Sequence, residues 1–292
     1  MKESNTIDAS RLKEIRRQTR IVLGEAPEAF IKAFPTLDNL QLAQVFSENL
    51  RSRRSALGLS QSATARCMSL SLTAYRRYET GHSLPKLHTA IRWSLSCGVP
   101  TEWLLLNPRH LPKLPPIHGL KWQPLVSYIS LANPDQLHCL STLIQHHHKD
   151  YPKKLVAADK HPLGQFPDVP TYYRLIAENL RPFRLAVGLS QSEAASLIGI
   201  CEASYRLYES PQHNTAIGLQ SMYGMVSALN IDPTTMSVNS RLYDYRCQQR
   251  DNLWQLNSWV TGLKPKQADA VLSLTRTCLE HFELLRVPGR LL

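Results

Sequence analysis

The side chains best suited to chemistry cluster in two stretches of the chain, residues 58–81 and 188–211. The first stretch holds Arg76 and Arg77 shortly after Thr73. An arginine can donate hydrogen bonds to O6 and N7 of one guanine, and a threonine methyl group can contact the methyl group of thymine. Side chains of these types could therefore contact DNA bases.

Patterns typical of catalysis or metal binding do not occur in the sequence. It contains no Gly-rich phosphate loop, no G-x-S-x-G and no H-E-x-x-H. The six cysteines form no C-x-x-C pair, and none aligns with another when the two stretches are superposed. The His-His-His-Lys run at 146–149 indicates a solvated helix end, because adjacent histidines on a helix point in different directions. We expect no enzymatic activity, no cofactor and no metal site.

Charge and composition narrow the class of partner. The 292 residues carry a formal net charge of +11, with 43% hydrophobic and 20% charged residues, which is typical of a folded protein of two domains. The basic balance favours an anionic partner, nucleic acid before a membrane surface. No apolar run is long enough for a membrane span, and the N-terminus lacks the apolar region of a signal peptide. We expect no membrane association and a cytoplasmic, nucleoid-associated protein of bacterial, phage or mobile-element origin.

The chain repeats itself. Residues 48–79, the first copy, align without a gap to residues 178–209, the second copy, with 16 identities in 32 positions. A fainter echo follows, because the segment from Trp122 resembles the segment from Trp254 in its Trp-Gln start, its proline and its helical periodicity. Self-similarity of this kind indicates duplication. We predict two units, each a compact head followed by a helical hairpin.

Proline-rich segments mark the joints between these parts. The predicted parts are a basic N-terminal helical arm at 1–37, a first head domain at 38–106, a linker and hairpin at 107–150, a Pro-rich inter-repeat linker at 151–170, a second head domain at 171–237 and a C-terminal hairpin at 238–292.

Helical periodicity runs through both copies, and no period-2 strand pattern is found, so the predicted fold is all-α. In the first copy an amphipathic helix ends at Gly58, Ser60 caps a second helix, and a third helix begins near Ser71. In the second copy Ser190 and Glu193 form the S-x-x-E pattern of a capping box. Two short helices joined by a tight turn make a helix-turn-helix, whose second helix can enter the major groove.

These motifs resemble a known family. L-S-Q-x-x-x-A, followed by S-x-x-x-Y-x-x-Y-E-x-G and "GVPTEWLL", is similar to the Cro/CI-type (XRE, lambda-repressor-like) helix-turn-helix domain of phage repressors and bacterial regulators. The resemblance covers two tandem domains, at roughly 46–106 and 176–237. The hairpins and the N-terminal arm lie outside it.

The resemblance implies roles for individual residues. Positions expected to contact DNA are Ser60, Gln61, Leu72, Thr73, Arg76 and Arg77 in the first copy, and Ser190, Gln191, Glu202, Ala203 and Arg206 in the second. It also implies a buried ion pair between Arg54 and Glu79, matched by Arg184 and Glu209.

The copies differ most on the edge that would face the groove. Leu72-Thr73 becomes Glu202-Ala203 and Arg77 becomes Leu207, and the charge falls from six arginines and two acids in 46–81 to three arginines and four acids in 176–211. One interpretation is two half-sites of different sequence, with Glu202 accepting from a cytosine amine. The other is that the second copy has drifted into a packing role.

Two functions remain open at this point. The leading one is a sequence-specific transcriptional regulator that binds double-stranded DNA as a covalent pseudo-dimer on two unequal half-sites, with homodimerisation through the hairpins as a further possibility. The rival is a protein-interaction module of the antitoxin or anti-activator type, which keeps the fold and sequesters a partner.

Overall fold

A computed structural model describes residue 34 and residues 37–229, 231 and 233–285. The predicted basic arm at 1–37 lies almost wholly outside the described residues. Over the described part of the chain the protein is built from α-helices and short 3-10 turns, with one isolated β-bridge and no strand. The prediction of an all-α fold is confirmed.

Twelve α-helices follow one another through the described ranges. They are α1 (Asn39–Ala56), α2 (Gln61–Cys67), α3 (Leu72–Glu79), α4 (Leu87–Ser96), α5 (Gln123–Leu131), α6 (Pro134–His147), α7 (Val169–Ala186), α8 (Gln191–Ile198), α9 (Glu202–Tyr208), α10 (Leu219–Leu229), α11 (Arg241–Thr261) and α12 (Pro265–His281).

Helices α1–α4, here called the first unit, and helices α7–α10, the second unit, repeat the same order of one long and three short helices. Asp38 caps α1 by accepting from the Gln41 backbone N–H, and Asp168 caps α7 by accepting from that of Thr171. In the first unit, the Asn49 side chain donates to the Leu104 and Leu106 carbonyls. Its equivalent in the second unit, Asn179, donates to those of Met236 and Val238. The two copies therefore share tertiary contacts as well as sequence.

Each unit is followed by two helices joined by a short connection. Helices α5 and α6 are joined through Ala132 and Asn133, and Asn133 caps α6 with a reciprocal capping box. Helices α11 and α12 are joined by residues 262–264. Helix α12 packs against both α5 and α6, so the two helix pairs contact each other.

A buried polar cluster ties the last part of the chain to the first unit. Arg246 on α11 donates to the Val99 carbonyl at 2.9 Å, to Ser94 Oγ at 2.6 Å and to Thr101 Oγ1 at 3.1 Å. Gln249 on the next turn donates to the Gly98 carbonyl at 2.9 Å. Because buried donors need partners, these bonds require α11 to sit against the end of α4.

Candidate nucleic-acid interface

Local sequence sets the turn between α2 and α3 in the first unit. Gly58 ends α1 with φ +67°, a value that glycine adopts without strain. Ser60 Oγ then accepts from the Ala63 backbone N–H to cap α2, and Ser71 Oγ accepts from that of Ala74 to cap α3. Between the two short helices, Ser69 has φ +56° and reverses the chain. The caps and the turn lie where the sequence predicts them.

Helix α3 is held by one face and presents the other to solvent. Tyr75 and Glu79 are buried, whereas Thr73, Arg76 and Arg77 are exposed. Leu72, at the first position of α3, is half-buried. An exposed helix edge with two arginines and a threonine has the hydrogen-bonding and apolar groups needed to contact bases and phosphates.

A chain of side-chain contacts ties this edge to the framework beneath it. Arg54 Nε donates to Glu79 Oε1 at 2.7 Å, and Arg54 Nη1 donates to the Leu59 carbonyl at 2.8 Å. Gln61 donates from its amide nitrogen to the other carboxylate oxygen of Glu79. The amide oxygen of Gln61 accepts from Arg76 Nε at 3.2 Å, which orients an otherwise exposed arginine on α3.

The second unit keeps the same framework. Arg184 Nε donates to Glu209 Oε1 at 2.6 Å, Arg184 Nη2 to Glu209 Oε2 at 3.1 Å, and Gln191 to Glu209 Oε2 at 2.9 Å. Ser190 and Glu193 form the complete capping box at the start of α8. The turn before α9 carries a glycine, Gly199, with φ +76°, at the position of Ser69.

The exposed edge of α9 is chemically different from that of α3. Glu202 and Arg206, one helical turn apart, form an ion pair with each other. Arg206 therefore bonds within α9, whereas the equivalent Arg76 bonds to Gln61 on α2. Ala203 is exposed, and Leu207, which replaces Arg77, exposes 40% of its surface. Cys201 precedes α9 without making a cap bond to the backbone, in line with its poor capping chemistry.

Electrostatics inside the framework favour the charged forms of Arg54, Arg184 and Glu209. Burial opposes charge on Glu209, but hydrogen bonds from Arg184 and Gln191 outweigh it, so the pKa of this carboxyl lies below its ordinary value. The pKa of Arg184 is raised, first by its hydrogen bond to Glu209. For Arg54, burial again works against the charge, and Glu79 more than offsets it, so its pKa is also raised.

One arginine of the first copy turns out to be a core residue. Arg53 is completely buried, its guanidinium lies 4.5 Å from the centre of the Trp103 ring, and it donates to the Trp103 carbonyl and to Gln123 Oε1. Burial lowers its pKa to about 9. Counting six arginines in 46–81 thus overstates the charge available to a ligand. A signal was present, because the second copy has Phe183 at this position.

Comparison with known proteins gives one match. Residues 50–104 match the helix-turn-helix family model. The matched segment begins within α1 and includes α2, the turn, α3 and α4, so it covers most of the first unit and supports a DNA-binding transcription regulator of the XRE, lambda-repressor-like type. No curated protein and no solved structure matches the chain. The resemblance predicted for the first copy is confirmed; that predicted for the second stays a prediction.

Two negative findings apply to the described residues. None of their helices is both long and apolar enough to cross a membrane. Among the same residues, no three His, Cys, Asp or Glu side chains are grouped so that they could hold a metal ion.

Proposed function

We propose that the chain is a sequence-specific DNA-binding transcriptional regulator that works as a covalent pseudo-dimer on two unequal half-sites. The observation that carries the proposal is a contrast between the copies. The buried contacts of Arg54 with Glu79 recur in Arg184 with Glu209, while the exposed residues of α3 and α9 differ in size and charge. A retained scaffold with a changed surface is what two modules reading different sequences require.

Within this proposal, the first unit supplies most of the affinity. Arg76 and Arg77 are exposed on α3, and both are available to guanine edges or phosphates. Ser60 and Gln61 open α2, where phosphate contacts orient the unit on the duplex. In the second unit Arg206 is partly neutralised by Glu202, so we expect α9 to contribute less.

The sequence specificity of the two units can be tested with matched variants. In vitro selection from random duplex DNA would first identify the site. Arg77→Ala should then weaken binding by about 1–3 kcal/mol and relax the preference at one base position. Arg206→Ala, in the second unit, should cost less and act in the other half-site. Unchanged affinity and site preference for Arg77→Ala would remove α3 from the interface.

A protein-binding role is the second candidate, and one observation favours it. Leu207 puts a 40% exposed leucine on the edge of α9, beside an ion pair that cancels charge. Such a surface suits a protein partner better than a phosphate backbone. Gel shifts across a salt series separate the two functions, because affinity for DNA falls steeply with salt when phosphate contacts release counterions. A chain that shifts no duplex at low salt supports the rival.

A further inference from the structure

The two units contact each other through equivalent residues. Lys86 and Gly218 form an antiparallel β-bridge, in which the Leu87 backbone N–H donates to the Ile217 carbonyl at 2.9 Å and the Leu219 N–H donates to the Pro85 carbonyl at 3.0 Å. Leu87 is the first residue of α4, and Leu219 is the first residue of α10. Equivalent residues therefore bond to each other reciprocally.

Two further contacts cross between the units at equivalent segments, although the residues that make them are not equivalent. The segment before α1 reaches α10, where the Phe34 ring lies 6.1 Å from that of Tyr223. The segment before α7 reaches α4, where the Arg92 guanidinium lies 5.8 Å from the centre of the Phe166 ring. Each unit thus receives the leading segment of the other on its fourth helix.

Reciprocal contacts of this kind identify the symmetry of the arrangement. When two copies are related by a two-fold axis, each surface meets its own equivalent, whereas copies related by translation meet head to tail through different surfaces. Both the bridge and the crossed segments fit an approximate two-fold axis that passes between Lys86 and Gly218. The tandem order along the chain is therefore not a tandem arrangement in space.

We infer that the chain recognises DNA whose two half-sites are inverted relative to each other, and that one chain occupies both. This inference rests on the proposed function. Modules that are related by translation contact direct repeats. Units that are related by a two-fold axis contact inverted sequences, because the axis of the protein then coincides with a two-fold axis of the duplex. Since α3 and α9 differ at their exposed edges, the inverted repeat is imperfect.

The distance between the half-sites is limited by the short segments that join α3 and α9 to the bridge between Lys86 and Gly218. Helix α3 ends at Glu79, seven residues before Lys86, and α9 ends at Tyr208, ten residues before Gly218. Even fully extended, these segments span at most about 25 Å and 35 Å. Together with the width of the bridge, these limits keep Glu79 and Tyr208 within about 65 Å of each other, less than two turns of the double helix, which favours half-sites about 34 Å apart, one turn of the double helix.

The test places every change in the DNA, so folding of the protein is not at issue. From the selected site, four duplexes are made: the intact site, the same site with the second half-site reversed in place, the site with five base pairs inserted between the half-sites, and the site with the second half-site scrambled. Affinity is measured by fluorescence anisotropy with the full chain at one salt concentration, protection by hydroxyl-radical footprinting, and stoichiometry by native mass spectrometry.

We expect one chain per intact duplex and protection of both half-sites. The affinity should fall by about tenfold or more when the second half-site is reversed and when five base pairs are inserted, as much as it falls when that half-site is scrambled. Undiminished binding to the reversed duplex, protection of one half-site alone, or two chains per duplex would each overturn the inverted arrangement while leaving DNA binding intact. Failure of the proposed function appears earlier, as a selection that enriches no sequence, and overturns both.

Discussion

The Arg184–Glu209 ion pair is the more deeply buried of the two equivalent pairs, with side chains 9% and 2% exposed, against 18% and 3% for Arg54 and Glu79. Changing Arg184 to alanine removes both bonds to the carboxylate and the bond to the Leu189 carbonyl at 2.6 Å. Breaking one side of a buried pair costs about 3–5 kcal/mol. Because Gln191 still donates to Glu209, we expect Arg184→Ala to lower the free energy of unfolding by about 3 kcal/mol, at the lower end of that range.

The same change in the first unit should cost less. Arg54 is twice as exposed as Arg184, so solvent can replace part of the lost interaction, and Gln61 still donates to Glu79. We expect about 2 kcal/mol for Arg54→Ala. Arg184→Ala should cost more because Arg184 is less exposed than Arg54 and makes two bonds to its carboxylate where Arg54 makes one.

Urea unfolding followed by circular dichroism measures both losses, and Arg181→Ala is the matched control. Arg181 lies exposed on the same helix as Arg184, so its replacement should change stability by about 0.5 kcal/mol or less. Replacing both partners, Arg184→Met with Glu209→Leu, should recover most of the loss because no charge is left buried. The reasoning is refuted if Arg184→Ala unfolds like the control, or if the double variant is no better than the single one.

Three further outcomes follow from the structure. Gly224→Ala should strongly destabilise the fold, because a Cβ there would come within 2.5 Å of the Ile198 carbonyl oxygen. Gly164→Ala is the control: a Cβ there would have nothing within 4 Å, so thermal melts should show almost no change. The pKa of Glu209 is depressed on folding, so its charge stabilises the fold above the ordinary glutamate pKa of about 4.3 and this contribution is lost as the pH falls through the lower folded value. The stability gap between wild type and Glu209→Gln should accordingly narrow as the pH falls below about 4.3 in urea titrations, and a gap that does not change with pH in this range would contradict the assignment. Leu207→Arg, which restores the residue type of Arg77, should tighten DNA binding and steepen the salt dependence by about one unit of slope in anisotropy titrations; an unchanged slope would place α9 away from the phosphates.

The starts of the helices could be predicted from the sequence because they depend on residues that are close together along the chain. Helix starts depend on a capping side chain within three residues, and Ser60, Ser71 and Ser190 all cap as their patterns predict. The pairing of Arg54 with Glu79 was predicted from the family resemblance, and both members recur 130 residues later. These features need no knowledge of how distant parts of the chain pack.

The arrangement of the two units could not be read in the same way. The bridge between Lys86 and Gly218 is made by backbone groups, which carry no sequence signal. Arg246 looks like an ordinary helical surface residue until α11 packs against α4 and buries it with Ser94. Arg53 is similar, because its partners lie 50 to 70 residues away along the chain. Contacts of this range depend on tertiary packing, which single-sequence periodicity does not describe.

Comparison of α3 with α9 gives a physical reason for the pattern of change between the copies. Residues 71–79 and 201–209 have the same sequence of buried and exposed positions, and the buried tyrosine and glutamate are identical in both. Packing explains why those two are kept. It does not explain why Arg76 recurs as Arg206, since both are exposed and their partners inside the chain differ, Gln61 in one case and Glu202 in the other. A residue required by an internal contact would recur with that contact. Recurrence without it is consistent with the proposed contact to the phosphate backbone, which has the same chemistry in both half-sites.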